Sequence, residues 1–332
     1  MRIAVLGAGA VGGTLAALLA RAGHEVAVTA RGENLDAIRA GGIALDGGWG
    51  EYRAAVEASE DLTRRPELAL LATKAQDAAA ALAGSAAALE GVPLVIVQNG
   101  LGGLRVAHGA APASPLLAGL ALFAASYLAP GHVTVTGPNP LVIGAGPGCD
   151  DALLRRVAAT LGEALPVEVS RDLEGAQWTK LLINHVNALP AITGLSVQEV
   201  VAHDGLRRIM ARSMRETARV AARTGVRFGT VQGVPGWLIG LIGRAPVRIA
   251  EEFPRLLARR MGDVPNPGST LQSLRRGRLT EIDFLNGAVV DAARAHGLDA
   301  PVNAAIVDLV HEVESTGDFL TPGEVVARVP AG

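Results

Sequence analysis

The run Gly7-Ala8-Gly9-Ala10-Val11-Gly12 restricts the possible folds of this chain more than any other stretch. It lies directly behind Arg2–Leu6 and directly ahead of Gly13-Thr14-Leu15-Ala16-Ala17-Leu18. The first flank is a short apolar run of strand length, and the second is rich in helix-forming Ala and Leu. Between them, the first glycine permits a tight turn, the second lets backbone approach a bound group, and the third lets the helix pack hard on the strand. The helix N-terminus then aims a partial positive charge at whatever sits on the turn. Strand, turn and helix in this order hold the pyrophosphate of a dinucleotide, here over Gly7, Ala8, Gly9, Ala10, Val11 and Gly12.

The rest of the first half fits such a unit. Apolar runs predict strands at Arg2–Leu6, Glu25–Thr29, Leu68–Ala72, Leu94–Val97, Leu116–Phe123, Val133–Thr136 and Leu141–Ile143. Ala-rich stretches predict helices at Val11–Ala22, Asn34–Ala40, Ala75–Ala88 and Asp150–Leu161. Continuous apolar strands alternating with helices indicate a parallel sheet covered on both faces, the doubly wound α/β class. Residues 118–143 read as antiparallel strands added late, with Pro130-Gly131 as a turn.

After about Ser170 strand-like runs nearly vanish. Helices are predicted at Leu173–Ala191, Gly205–Thr224, Arg248–Arg260, Thr270–Arg276, Thr280–His296 and Asn303–Glu314, with Gly229–Gly243 as a mobile or interface loop. The expected organisation is therefore a dinucleotide-binding domain over residues 1–170 and a helical domain over 171–332.

Composition excludes several classes. A formal net charge of -2 gives no electrostatic case for nucleic acid. No apolar run approaches the roughly 18 to 20 residues that cross a bilayer, and the glycine turn interrupts the apolar start before it can serve as a leader. One cysteine, Cys149, precludes an internal disulfide framework and fits the cytoplasm, and seven scattered histidines lack metal-ligand spacing. Apolar helical surface and the 229–243 segment make a homodimer plausible. Most pointed is the choice of cations: of 30 basic residues only Lys74 and Lys180 are lysine. Arginine supplies surface charge equally well, but it cannot give up a proton. Both lysines are therefore functional candidates.

Three loops follow strand ends, where ligands collect in such sheets. Arg31, 19 residues after Gly12, stands where an acid would bond the ribose of NAD; a guanidinium instead suits the 2′-phosphate of NADP. A solvent-facing arginine is the other reading. Lys74 in Thr73-Lys74-Ala75 and Asn99 in Gln98-Asn99-Gly100 are either ligand contacts or, respectively, a helix-start charge and a plain turn. In the second half Lys180, Asn184 and Asn187 fall at i, i+4 and i+7 on an apolar background, the spacing of one helix face. Such a stripe is costly unless it faces water, a partner or a ligand. Ser269 follows Gly268, and Glu281 follows Thr280, which with Asp283 could equally be a plain helix cap.

Together these residues resemble the ketopantoate reductase (2-dehydropantoate 2-reductase) family along nearly the whole chain. The resemblance rests on the glycine turn, Arg31, Thr73-Lys74-Ala75, Gln98-Asn99-Gly100, Trp178–Asn184, Ser269-Thr270-Leu271-Gln272 and, most specifically, Thr280-Glu281-Ile282-Asp283 with Asn286-Gly287 behind it. It implies a Rossmann domain, a helical domain similar to that of 6-phosphogluconate dehydrogenase, and a site in the cleft between them. It implies hydride transfer from NADPH to the C2 ketone of a small 2-keto acid, ketopantoate first. Lys180 matches the proton donor, Asn184 and Ser269 match substrate-binding positions, and Glu281 matches the acid that accepts from the substrate hydroxyl. Lys74 and Asn99 match positions near the nicotinamide.

The chain departs from the family pattern in four places. Asn187 comes seven residues after Lys180 rather than eight, Ser273 replaces an aspartate, Gln98 replaces a histidine, and 229–262 is long. These lie where substrate shape is set and leave the proton donor untouched. A 2-hydroxy acid or opine-type dehydrogenase and a non-enzymatic NADP sensor are the competing readings. The sensor has no use for Lys180 and Glu281.

Overall fold

In the computed structural model, which describes residues 1–231 and 233–331, internal packing divides the chain into two units, Met1–Leu173 and Glu174–Gly332. Twelve strands lie in the first: β1 Arg2–Leu6, β2 Glu25–Thr29, β3 Ile43–Gly47, β4 Tyr52–Ala54, β5 Glu57–Ser59, β6 Leu68–Leu71, β7 Leu94–Val97, β8 Leu116–Ala121, β9 Ala124–Ala129, β10 His132–Gly137, β11 Leu141–Ala145 and β12 Val167–Val169. Its helices are α1 Ala10–Arg21, α2 Gly32–Gly41, α3 Ala78–Gly84, α4 Ala86–Leu89, α5 Gly103–Ala110 and α6 Asp151–Gly162.

Eight strands form one sheet in the order β12-β11-β8-β7-β6-β1-β2-β5. All neighbours are parallel except β8 and β11. Alternate side chains leave each strand on opposite faces, and both faces are covered. Ile3, Val5, Leu68, Leu70, Val95 and Val97 join a core with α1 and α6. Ala4, Leu6, Ala69, Leu71, Leu94 and Ile96 join another with α3, α4 and α5. The expected doubly wound sheet is thus formed.

The late antiparallel extension takes a different form. β8 and β11 stay in the main sheet, while β9 and β10 join β3 and β4 in a second sheet of order β4-β3-β10-β9. Val133 and Val135 of β10 and Ile43 and Leu45 of β3 pack into the same core as α1. The single helix expected over Ala75–Ala88 is broken into a 3₁₀ turn, Ala75–Asp77, and two short helices. The break falls at Ser85, which is buried and whose Oγ accepts from the Leu62 N–H at 3.0 Å.

In the second unit the helices are α7 Leu173–Asn184, α8 Ala188–Thr193, α9 Val197–Ala202, α10 Asp204–Arg223, α11 Gly236–Arg244, α12 Val247–Ala250, α13 Glu252–Arg260, α14 Gly268–Arg275, α15 Asn286–Ala295, α16 Pro301–Thr316 and α17 Pro322–Arg328. The 20-residue α10 is the axis, packed against α9, α11, α12, α13, α15, α16 and α17. The segment 229–243, expected as a loop, ends instead in α11; Gln232 within it lies outside the described residues. Two further expectations are corrected. Leu173–Ala191 is not one helix, because a 3₁₀ turn at His185–Asn187 separates α7 from α8. Thr280–His296 is not one helix either: a 3₁₀ turn, Ile282–Phe284, precedes α15, which begins at Asn286.

Candidate functional site

The glycine turn is built as a cradle. Gly7 has φ +94°, a backbone conformation costly for any residue with a Cβ. A Cβ on Gly12 would stand 1.8 Å from the Gly7 carbonyl oxygen, so α1 can begin this close to β1 only with glycine there. A Cβ on Gly9 would meet nothing within 4 Å, and Gly9 caps α1 with no side-chain hydrogen bond. The first N–H groups of a 12-residue helix therefore face open space, which suits a pyrophosphate.

The turn is held from β2. Gly7 N–H donates to Thr29 Oγ1 at 2.9 Å and Ala8 N–H to the Thr29 carbonyl at 3.0 Å. Asn34 Nδ2 donates to the Ala8 carbonyl at 2.9 Å, while its Oδ1 accepts from Gly131 N–H at 2.8 Å. Thr29 and Asn34 were not singled out from sequence, because nothing in their spacing from the glycines shows that they clamp them. Arg31, at the end of β2, is exposed and makes no ion pair with any described residue. It is extended at φ -135° and caps α2 without a side-chain bond.

The loops after β6 and β7 are tied together. Gln98 Nε2 donates to the Thr73 carbonyl at 2.9 Å and to Thr73 Oγ1 at 3.3 Å. The structure thus brings the segments of Lys74 and Asn99 side by side at one sheet edge; both residues are partly buried. Gln98, noted above as a departure, acts as this strut.

In the second unit Lys180 lies near the end of α7, partly buried, with Leu181, Leu182 and Ile183 packed into the core behind it. Burial pushes its ammonium down from the ordinary 10.5 to about 8, against the pull of the Glu281 carboxylate, which favours the charged form. The fold therefore brings Lys180 and Glu281, 101 positions apart, within electrostatic reach of each other.

The other expected residues are placed differently from a straight helical stripe. Asn184 ends α7, and Asn187 sits on the 3₁₀ turn beyond it. Asn187 Oδ1 is 2.6 Å from where a Cβ on Gly268 would be, so Gly268, at φ +73°, allows the start of α14 to approach it. Ser269 is exposed in the first turn of α14 and does not cap it. Thr280 does not cap a helix: its Oγ1 accepts from Ile282 N–H at 3.2 Å in a tight local turn, and Glu281 lies just ahead of the 3₁₀ turn.

Directly behind these residues is a polar network that sequence did not reveal. His185 Nδ1 is 2.6 Å from Ser213 Oγ, and Ser213 Oγ donates to Asn303 Oδ1 at 2.8 Å. Asn286 Nδ2 donates to the same Oδ1 at 2.9 Å. Asn303 Nδ2 donates to Glu216 Oε2 at 2.8 Å, and Glu216 also accepts from the N–H groups of Val302 and Asn303 at the start of α16. Because Ser213 spends its one proton on Asn303, the imidazole donates from Nδ1, a tautomer assigned from this pattern. Burial pushes His185 down to about 3, so the ring is neutral. Burial raises the Glu216 carboxyl, and the two backbone donors and the Asn303 amide pull it back.

The network pins the residue after Asn184 and the first residue of α15, five positions beyond Glu281, to α10 and α16. It explains why α7 yields to a 3₁₀ turn at His185. Isolated Asn, Ser and His residues on different helices carry no spacing signal, so only the packed helices assemble it.

Among the described residues no group of three or more His, Cys, Asp or Glu could hold a metal, and no helix is long and apolar enough to cross a membrane.

Two family models match the chain: "Ketopantoate reductase PanE/ApbA" over residues 3–148 and "Ketopantoate reductase PanE/ApbA C terminal" over residues 172–314. Among curated proteins, the 2-dehydropantoate 2-reductase of Halobacterium salinarum is 29% identical, across 96% of this chain and 100% of the relative. That of Pyrococcus horikoshii is 27% identical, across 96% and 99%. Among solved structures, a PanE/ApbA family ketopantoate reductase from Ralstonia eutropha JMP134 is 32% identical, covering 95% of this chain and 99% of that one, with a TM-score of 0.77. D-mandelate dehydrogenase, solved with NADH and anilino(oxo)acetate, shares the fold at a TM-score of 0.80, with 22% identity over 95% of this chain and 99% of that one.

Proposed function

The chain belongs to the ketopantoate reductase family, and from that premise we propose that it catalyses the NADPH-dependent reduction of 2-dehydropantoate (ketopantoate) to pantoate, on the route to pantothenate and coenzyme A. The observation that carries the reading is Lys180. It is one of two lysines among 30 basic residues, it is partly buried, and its ammonium is lowered to about 8 beside Glu281. A surface cation has no need of that environment, whereas a group that must both hold and release a proton near neutral pH does.

The first unit holds the cofactor. Gly7, Ala8, Gly9, Ala10, Val11 and Gly12 cradle the pyrophosphate, Arg31 pairs with the 2′-phosphate, and Lys74 and Asn99 serve the nicotinamide end. NADPH supplies the hydride that the ketone carbon accepts. The second unit serves the substrate. Lys180 polarises the ketone oxygen and gives it a proton as the alkoxide forms. Glu281 accepts from the substrate hydroxyl, and Asn184, Asn187 and Ser269 bond the polar groups of the keto acid. The neutral imidazole of His185 adds no competing charge behind them.

The test is NADPH oxidation followed at 340 nm against a panel of small 2-keto acids. Ketopantoate should be the preferred substrate, and Lys180→Ala should lower kcat by about 10²-fold or more while NADPH still binds. Unchanged turnover in Lys180→Ala rejects the proton donor. Preference for another keto acid, or NAD-dependent oxidation of a 2-hydroxy acid, keeps the chemistry and replaces the substrate.

A further inference from the structure

A cavity of about 950 Å³ lies in the helical unit between α10 and α11. None of Lys180, Asn184, Asn187, Ser269 and Glu281 lines it. The cavity exists because of glycine. Along α11, Gly236, Gly240 and Gly243 fall at i, i+4 and i+7. A Cβ on Gly236 would be 1.8 Å from the Phe228 carbonyl oxygen, and one on Gly243 would be 3.0 Å from Ala218 Cβ. These two let α11 lie against its neighbours. Gly240, between them, would meet nothing within 4 Å and leaves the space open.

The walls are cationic. Arg219, Arg223, Arg227 and Arg244 line the cavity, with Asp299 as its one carboxylate, in a chain whose formal net charge is -2. All four arginines are exposed to solvent and so reachable by a ligand from outside. Arg223, Arg227 and Arg244 form no ion pair with any described residue. Arg219 Nε donates to the Gly243 carbonyl at 3.2 Å, which fixes that guanidinium across the two helices.

Like charges are crowded here. Arg215, one turn before Arg219, is held below its ordinary pKa by burial and by the charges of Arg219 and Arg212, and its buried Nε has no hydrogen-bond partner among the described residues. Arg219 is the member of this stripe that lines the cavity, and an anion there would offset part of its repulsion with Arg215. Trp237, also in the lining, is 67% exposed. In a chain with three tryptophans, its indole face is a free platform beside the arginines.

We propose that this cavity binds a phosphate-bearing small molecule with a planar ring, the arginines forking onto the phosphate oxygens and the ring stacking on Trp237. Guanidinium geometry matches phosphate in pairs of parallel hydrogen bonds, and an indole face accepts flat rings. The volume falls within the range of ordinary small-ligand sites.

The probes are 5′-AMP and, separately, inorganic phosphate, titrated into the full chain with tryptophan fluorescence as the readout. AMP should quench emission, and Trp237→Phe should remove that quench, which separates this event from any binding at the glycine turn. The double variant Arg223→Gln/Arg227→Gln should weaken the quench-linked affinity by about tenfold or more, roughly the worth of one charge-assisted hydrogen bond. Gly240→Leu, which fills the open space, should abolish it, and NADPH binding should be unchanged in both. The arginine variant alters exposed side chains only, so it stands if Gly240→Leu folds poorly. AMP binding that is equal in wild type, Trp237→Phe and the arginine variant overturns the proposal. Phosphate binding as tightly as AMP overturns the role given to Trp237.

Discussion

Asn303 is fully buried at the centre of the polar network, and Asn303→Leu measures what that network is worth. The amide makes four side-chain hydrogen bonds: it donates to Glu216 Oε2 at 2.8 Å and to the Ser213 carbonyl at 3.2 Å, and it accepts from Ser213 Oγ at 2.8 Å and Asn286 Nδ2 at 2.9 Å. Leucine has the same branched skeleton but is bulkier, so no cavity forms and crowding adds to the loss. The main loss is polar. Asn286 is 1% exposed, and its amide nitrogen keeps only a contact of 3.3 Å to Ser213 Oγ, because the His185 Nδ1 at 3.4 Å is itself a donor. Ser213 Oγ must turn its proton elsewhere. Each buried group left short of a partner costs about 1–3 kcal/mol, and the added methyl groups return about 1–2 kcal/mol. The expected net destabilisation is about 4 kcal/mol. At about 2–4 °C per kcal/mol for a unit of this size, that lowers Tm by roughly 8–16 °C. Urea unfolding followed by circular dichroism reads it directly. A companion cycle, Asn286→Ala, Asn303→Ala and the double variant, should show a coupling of at least about 1 kcal/mol. A loss under about 1.5 kcal/mol with additive single effects would refute the account, because the four bonds would then be replaceable by water or by rotation.

Other perturbations test the candidate sites separately. Gly12→Ala places a Cβ 1.8 Å from the Gly7 carbonyl oxygen and should abolish dinucleotide binding; calorimetry showing wild-type affinity would disprove the cradle. Arg31→Asp should invert the ratio of NADPH to NADH efficiency, and a retained NADPH preference would remove Arg31 from the 2′-phosphate site. Lys180 has a folded-state pKa of about 8, lowered from 10.5, and the protonated form is the acid. Reductive kcat/KM should therefore fall as pH rises through about 8. Glu281→Gln removes the charge that favours the ammonium and should move that limb to lower pH; a limb that stays or rises contradicts the pairing.

Much of the first unit is legible in the chain. β1, β2 and β7 run over the residues their apolar patterns predict, and β6 stops one short, because strands buried on both faces must be apolar throughout. The turn at Gly7 is equally legible, since only glycine satisfies both its positive φ and the 1.8 Å approach at Gly12. β3, β4 and β5 were not foreseen. They are short and partly polar, and only their partners make them strands. Helical content in both halves could be read, but its breaks could not. Ser85 interrupts an alanine run because the Leu62 N–H needs an acceptor, and His185 interrupts α7 because a buried network claims its ring.

Composition alone marked Lys74 and Lys180 as candidates for a role that arginine cannot fill. Glu281 was identified by resemblance, with nothing in the sequence to place it near Lys180. Sequence by itself determined the apolar strands, the glycine turn and the choice of lysine, because each is a property of residues close along the chain. The lowered pKa of Lys180, the Asn303 network and the arginine-walled cavity were decided by tertiary structure alone. Each depends on burial and on charges from distant segments, which exist only once the helices have packed.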